Sequence, residues 1–101
     1  MLGRRVAAIT DWIERQPYLK NLGLGYFGAS TGAAAALVAA AERRNIVRAV
    51  VSRGGRPDLA GTALKRVIAP TLFLVGGKDE TVLNLNYAAM AQLPRLSLIH
   101  I

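Results

Sequence analysis

Four short apolar runs alternate with four helix-like segments along this chain of 101 residues. The runs are Leu22 to Phe27, Ile46 to Ser52, Pro70 to Val75 and Leu96 to the terminus. Between and before them lie Gly3 to Gln16, Thr31 to Arg44, Leu59 to Arg66 and Thr81 to Leu93. Strands separated by helices are joined by right-handed crossovers, so the pattern predicts an α/β fold with a parallel sheet of about four strands flanked by helices, placed here on both faces. No repeat or linker breaks the pattern, and the length holds one domain, residues 1–101.

The segments carry their own signals. In the first helix Val6, Ile9, Trp12 and Ile13 form one apolar stripe, and Pro17 marks its end. The second helix is built on Ala33, Ala34, Ala35, Ala36, Ala39, Ala40 and Ala41, which leave little bulk on any face. Such a helix can lie close against a sheet, which suits a central position. In the fourth, Leu85, Ala88, Ala89 and Leu93 are expected to face inward.

Composition excludes several classes. Hydrophobic residues make up 52% of the chain, too many for disorder. The absence of cysteine removes disulfide frameworks, zinc knuckles and thiol nucleophiles, and is compatible with a reducing, cytoplasmic setting. No metal-ligating cluster is read. Asp11 and Glu14 interrupt any export signal, and the longest apolar run, Ala33 to Ala41, is half of the roughly 20 residues that span a bilayer. The net charge of +7 invites a nucleic-acid partner. However, the basic residues are scattered in ones and twos with no stripe at helical spacing, so they read as a solvated surface and no nucleic-acid or membrane partner is expected.

The strongest chemical signal is Gly28-Ala29-Ser30-Thr31-Gly32, a G-x-S-x-G lying directly after a strand and directly before a helix. In that context the serine sits on a sharp turn that lifts its hydroxyl above the sheet. The glycines two before and two after exclude bulk where strand and helix approach. The Thr31 backbone N–H, at a helix N-terminus, points at a developing oxyanion. The competing role for Ser30 is an ordinary N-cap. An overlapping Gly23-Leu24-Gly25-Tyr26-Phe27-Gly28 matches a dinucleotide fingerprint literally. It reads as strand rather than as the opening of a phosphate-binding helix, so it stands only as a minor alternative and no cofactor is expected.

Asp79 follows the third strand, in the loop where a triad of chain order Ser, Asp, His places its acid; Glu80 is its neighbour. Arg53 and Arg56 flank Gly54 and Gly55 after the second strand, at the same sheet edge as Ser30, where they could clamp an anionic group of a substrate. The plainer role for this loop is a helix cap from Asp58 with solvated arginines.

With those residues in place, the chain resembles the α/β-hydrolase superfamily, and within it dienelactone-hydrolase-like proteins, including the module found fused to phosphoribosyltransferases. The resemblance rests on GYFGASTGAAAALVAAAERR and on AVVSRGGRPDLAGTALKRVIAPTLFLVGGKDETVLNLNYAAMAQL, and runs from about Arg4 to about Leu96. It implies a serine hydrolase with Ser30 as nucleophile and Asp79 as acid, acting on small-molecule carboxylic esters or lactones, with a fused phosphoribosyltransferase as a partner domain. Such folds have about eight strands. The resemblance therefore implies a C-terminal fragment cut at both ends, with the strand holding Leu24 and Tyr26 left as an open edge.

His100 has the residue type and chain order of the base but falls short of its position. The tail LSLIHI resembles translated sequencing-adapter sequence, so residues 96–101 are expected to be foreign to the family. Two functional expectations follow: a fragment of a serine-dependent hydrolase, or a catalytically incomplete α/β module that hydrolyses activated esters no better than its Ser30→Ala variant.

Overall fold

The computed structural model describes residues 2–76, 80–93 and 96–100, the last group as backbone. Its elements are α1 (Leu2–Glu14), β1 (Leu24–Ala29), α2 (Thr31–Glu42), β2 (Val47–Arg53), a 3₁₀ segment (Pro57–Arg66) kinked at Gly61, β3 (Thr71–Val75), α3 (Glu80–Met90) and β4 (Leu96–His100). The four strands form one parallel sheet in the order β1-β2-β3-β4. The expected α/β class is the one observed.

The layering differs from expectation. Tyr26, Gly28, Val50, Ser52, Thr71, Phe73 and Val75 share one face of the sheet; all are buried except Tyr26, which is half-buried. On the other face Gly25, Phe27, Ala29, Ala49 and Arg53 are exposed, and Val51, Leu72 and Leu74 are only half-buried. The helices form a single layer: α1 packs on α2, α2 on the 3₁₀ segment, and that segment on α3. The reason is topological. Each strand is added on the same side of the last, and a right-handed crossover repeated in one direction puts every connection on one face. Covering both faces requires a reversal of winding, and this strand order contains none.

The alanine run does what its size allows. Ala33 to Leu37 and Ala39 to Ala41 are buried, and the core formed around them includes Leu64, Val67 and Phe73. The first helix is turned the other way from the sequence reading. Gly3, Ala7 and Thr10 are its buried residues, while Ile9 is 60% exposed and Trp12 nearly half exposed. Close packing against α2 decides this: a Cβ on Gly3 would stand 2.9 Å from Val38 Cγ1, so only a small-residue face fits. Tyr26 reinforces that orientation with a 2.5 Å hydrogen bond to Thr10 Oγ1. The Thr10 hydroxyl proton goes to the Val6 carbonyl at 2.8 Å, so the tyrosine is the donor. In α3 the inward residues are Val82, Asn86 and Ala89, continued by buried Leu93 just past the helix; Ala88 is exposed and Leu85 half-buried.

β1 is the end strand of the sheet, as expected for the strand holding Leu24 and Tyr26. It carries neither proline nor charge, and Phe27 on it is 66% exposed. A groove of about 440 Å³ runs along its free side beneath Leu2 and Val6 of α1. Unpaired edges of this kind adhere to one another, and parallel sheets ordinarily have both faces covered. Sedimentation velocity at micromolar concentration should therefore show dimers or larger species; a clean monomer would contradict this account of the edge. The helix orientation is tested by stability. Phe73→Ala should cost about 3–5 kcal/mol in urea unfolding, whereas Ile9→Ser should stay within about 0.5 kcal/mol.

Candidate active site

β1 ends at Ala29 and α2 begins at Thr31, so one residue, Ser30, makes the whole turn. Its backbone adopts φ 51° and ψ −129°, the one positive φ outside glycine among the described residues. A conformation of that kind costs about 1–3 kcal/mol and persists only where the surroundings enforce it. Here the enforcement is visible. The Ser30 carbonyl accepts hydrogen bonds from the backbone N–H of Ala33 at 3.2 Å and of Arg56 at 3.1 Å. Gly28 lies so close beneath α2 that a Cβ there would meet Gly32 O at 2.6 Å and Ala33 Cα at 2.8 Å.

The Ser30 side chain makes no capping hydrogen bond, which removes the plain N-cap role. Thr31 N–H belongs to the first turn of α2, whose N–H groups have no intrahelical acceptor and carry the positive end of the helix dipole. One expectation about the motif needs correction. A Cβ on the second glycine, Gly32, would have no neighbour within 4 Å among the described residues, so close packing requires only the first.

Ser30 opens into a cavity of about 390 Å³ at the C-terminal ends of β1, β2 and β3, shared with Arg53, Gly54, Leu74 and Gly76. Ligands of open α/β sheets bind at that end. The two arginines separate here. Arg53 lines the cavity, whereas Arg56 is held by Asp58 through two hydrogen bonds, Nε to Oδ1 at 3.0 Å and Nη2 to Oδ2 at 2.9 Å. The Arg56 guanidinium holds the Asp58 carboxyl below its ordinary value, and Asp58 in turn raises Arg56. Arg56 therefore belongs to the loop's own structure, and only Arg53 faces the cavity.

Asp79 lies outside the described residues, between Gly76 of the cavity wall and Glu80, the first residue of α3. His100 ends β4, its backbone paired with Val75. β4 stands three strand spacings from β1, roughly 14 Å at ordinary sheet geometry. The backbone of His100 is thus not brought to Ser30. The dinucleotide alternative fails on placement: Leu24 to Ala29 is strand, and the helix opens only at Thr31.

Two residues matter that sequence reading passed over. A Cβ on Gly55 would clash with Ala33 Cβ and stand 3.2 Å from the Ser30 carbonyl oxygen, so the loop after β2 is packed directly on the elbow. Asn86, fully buried on α3, donates through Nδ2 to the Gly55 carbonyl at 3.2 Å. A signal for it was present: Asn86 interrupts the apolar stripe Val82, Ala89, Leu93 at helical spacing.

Comparison with solved structures places this geometry. A dienelactone hydrolase from Anabaena variabilis superposes with a TM-score of 0.90 at 54% sequence identity, over 97% of this chain and 47% of that one. The chain carries part of an α/β-hydrolase fold, similar to the matching part of that dienelactone hydrolase. Est1E from Butyrivibrio proteoclasticus, solved with ferulic acid, shares the fold at a TM-score of 0.81 and 17% identity, over 98% of this chain and 57% of that one. Among curated proteins, two provisionally named phosphoribosyl transferases from two strains of Mycobacterium tuberculosis are 60% identical over 94 residues, which is 93% of this chain and 21% of theirs. This chain thus spans about a fifth of the length of those relatives and under half of the dienelactone hydrolase. No family model matches the chain. No helix among the described residues is long and apolar enough to cross a membrane.

The packing around the elbow yields a three-glycine test. Gly28→Ala and Gly55→Ala should each destabilise by about 1–3 kcal/mol or more, because backbone or a neighbouring Cβ must move. Gly32→Ala should be neutral or stabilising by up to about 1 kcal/mol. Urea melts of the three variants check this, and equal losses at all three positions would refute it.

Proposed function

We propose that this chain is the nucleophile-bearing part of a serine-dependent hydrolase acting on carboxylic esters or lactones. The observation that supports it best is Ser30 itself: a strained one-residue elbow whose hydroxyl makes no capping hydrogen bond, lining a cavity and followed at once by a first-turn N–H that has no intrahelical acceptor. In this reading Ser30 Oγ gives its proton to an imidazole base and attacks the acyl carbon; the carbonyl oxygen takes up negative charge against Thr31 N–H, and its collapse breaks the ester C–O bond, the leaving alkoxide taking the proton from the imidazolium. Asp79 serves as the acid that orients an imidazole base.

Arg53 gives the cavity one positive wall, suited to a carboxylate or another anionic group on the substrate. The mycobacterial relatives support a further element of the reading, a hydrolase module joined to a phosphoribosyltransferase domain in one longer protein. The reading places the protein in the cytoplasm, with which its cysteine-free composition is compatible.

A second reading is favoured by the position of the only histidine. His100 ends β4, and its backbone stands three strand spacings from β1, which supports reading these 101 residues taken alone as catalytically incomplete. General-base assistance is worth about 10²–10⁴-fold. The two readings separate in one pair of assays with nitrophenyl esters. The 101-residue chain should hydrolyse them no faster than its Ser30→Ala variant. A hybrid in which this chain replaces the matching segment of the Anabaena dienelactone hydrolase should turn them over, and Ser30→Ala in the hybrid should remove that turnover by at least 10³-fold. A folded hybrid that is indifferent to Ser30→Ala would overturn the proposed function.

A further inference from the structure

Asn86 is entirely buried, yet it brings a polar atom into the core with nothing to bond: among the described residues its Oδ1 has no hydrogen-bond partner. A buried unsatisfied acceptor carries the full desolvation penalty of that group. An apolar residue on the same helical stripe would avoid that cost, so stability alone does not account for an asparagine here. Local departures from the best-packed solution are concentrated at functional sites.

The other end of the side chain shows what it does. Asn86 Nδ2 donates to the carbonyls of Val82, at 2.8 Å, and Gly55, at 3.2 Å. The Gly55 carbonyl and the Arg56 N–H belong to one planar trans peptide and point in opposite directions. Arg56 N–H donates at 3.1 Å to the Ser30 carbonyl. The Ser30 carbonyl is in turn one end of the next rigid peptide, whose other end is Thr31 N–H. Two peptide planes thus run in series from Asn86 to the group that the proposed function assigns to the oxyanion.

Hydrogen bonds in such a chain polarise one another, and each plane fixes the direction of the next. Gly55 faces the elbow so closely that a Cβ on it would clash with Ala33 Cβ and stand 3.2 Å from the Ser30 carbonyl oxygen, which leaves little room for a shift in that direction. Asn86 also lies on α3, whose first residue, Glu80, follows Asp79 in sequence. The helix that follows the proposed acid is therefore the same one that holds the Gly55 carbonyl, on the peptide whose N–H bonds the elbow.

We propose that Asn86 is a positioning residue for Thr31 N–H, acting through the Gly55–Arg56 and Ser30–Thr31 peptides. It touches no reacting atom. The proposal rests on the reading of Thr31 N–H as the oxyanion donor. Its structural part concerns the hydrogen bonds alone.

The test has two arms. In the 101-residue chain, ¹H–¹⁵N spectra and amide exchange are compared for the parent, Asn86→Leu, which removes the donor, and Asn86→His, which restores a ring N–H near the position of Nδ2. In Asn86→Leu the Arg56 and Thr31 amide protons should move upfield and Arg56 exchange should quicken about tenfold, with Ala7 and Thr10 of α1 unchanged; Asn86→His should return both toward the parent. Arg56 and Thr31 signals that move no more than those of α1 would overturn the proposal.

If Asn86→Leu does not fold, the parent chain decides. The Asn86 side-chain amide and the Arg56 amide should share one opening free energy once their exchange rates are divided by the intrinsic rates, and different opening free energies would overturn the relay. In the hybrid enzyme, Asn86→Leu should lower kcat about tenfold with KM within twofold, the mark of lost transition-state stabilisation. An unchanged kcat, or a loss carried wholly by KM, would overturn it. Absence of any Ser30-dependent turnover in the parent hybrid would instead refute the hydrolase reading, leaving the spectroscopic arm to decide the hydrogen-bond relay.

Discussion

A serine held at positive φ between a strand and a helix is the constraint around which the rest of this structure is arranged. L-residues avoid that region, and nothing inside Ser30 favours it. Its carbonyl is fixed from two directions, by the first turn of α2 and by the loop after β2. The loop can reach the elbow only because Gly55 has no side chain, and α2 can close over β1 only because Gly28 has none. The alanine run of α2 extends the same requirement along the helix, which lies buried between the sheet and its neighbours, α1 and the 3₁₀ segment.

One-directional winding has a second consequence. With all crossovers on one face, the opposite face of a largely apolar parallel sheet stands open, and so does the edge of β1. The same exposure extends to α1, whose bulky stripe through Leu2 and Ile9 lies off the packed face. Proteins with parallel sheets normally bury such surfaces. This chain matches less than half of the dienelactone hydrolase.

Much of this was legible in the sequence because the decisive signals are local. The alternation of runs fixed the α/β class, and the strand–GASTG–helix context located Ser30 without any knowledge of distant contacts. What escaped was tertiary. The face that α1 buries is chosen by how closely α2 approaches, and that favours Gly3, Ala7 and Thr10 over the more hydrophobic Ile9 and Trp12. Which face of the sheet is covered depends on the order of strands, which periodicity does not contain. Arg56 looked equivalent to Arg53 until its bidentate pairing with Asp58 was seen. Asn86 was passed over because an asparagine in a helix ordinarily reads as exposed, and its role emerges only from the peptide it holds, 31 residues away.

The central claim is that Ser30 is the reactive nucleophile of a hydrolase site. Peptide mapping by mass spectrometry, after treatment of the hybrid enzyme with a fluorophosphonate, tests it most directly. The account predicts a single phosphonyl adduct, on the peptide that contains Gly28-Ala29-Ser30-Thr31-Gly32 and at Ser30 within it. An adduct on any other residue, or a folded hybrid that takes up no label, would contradict it.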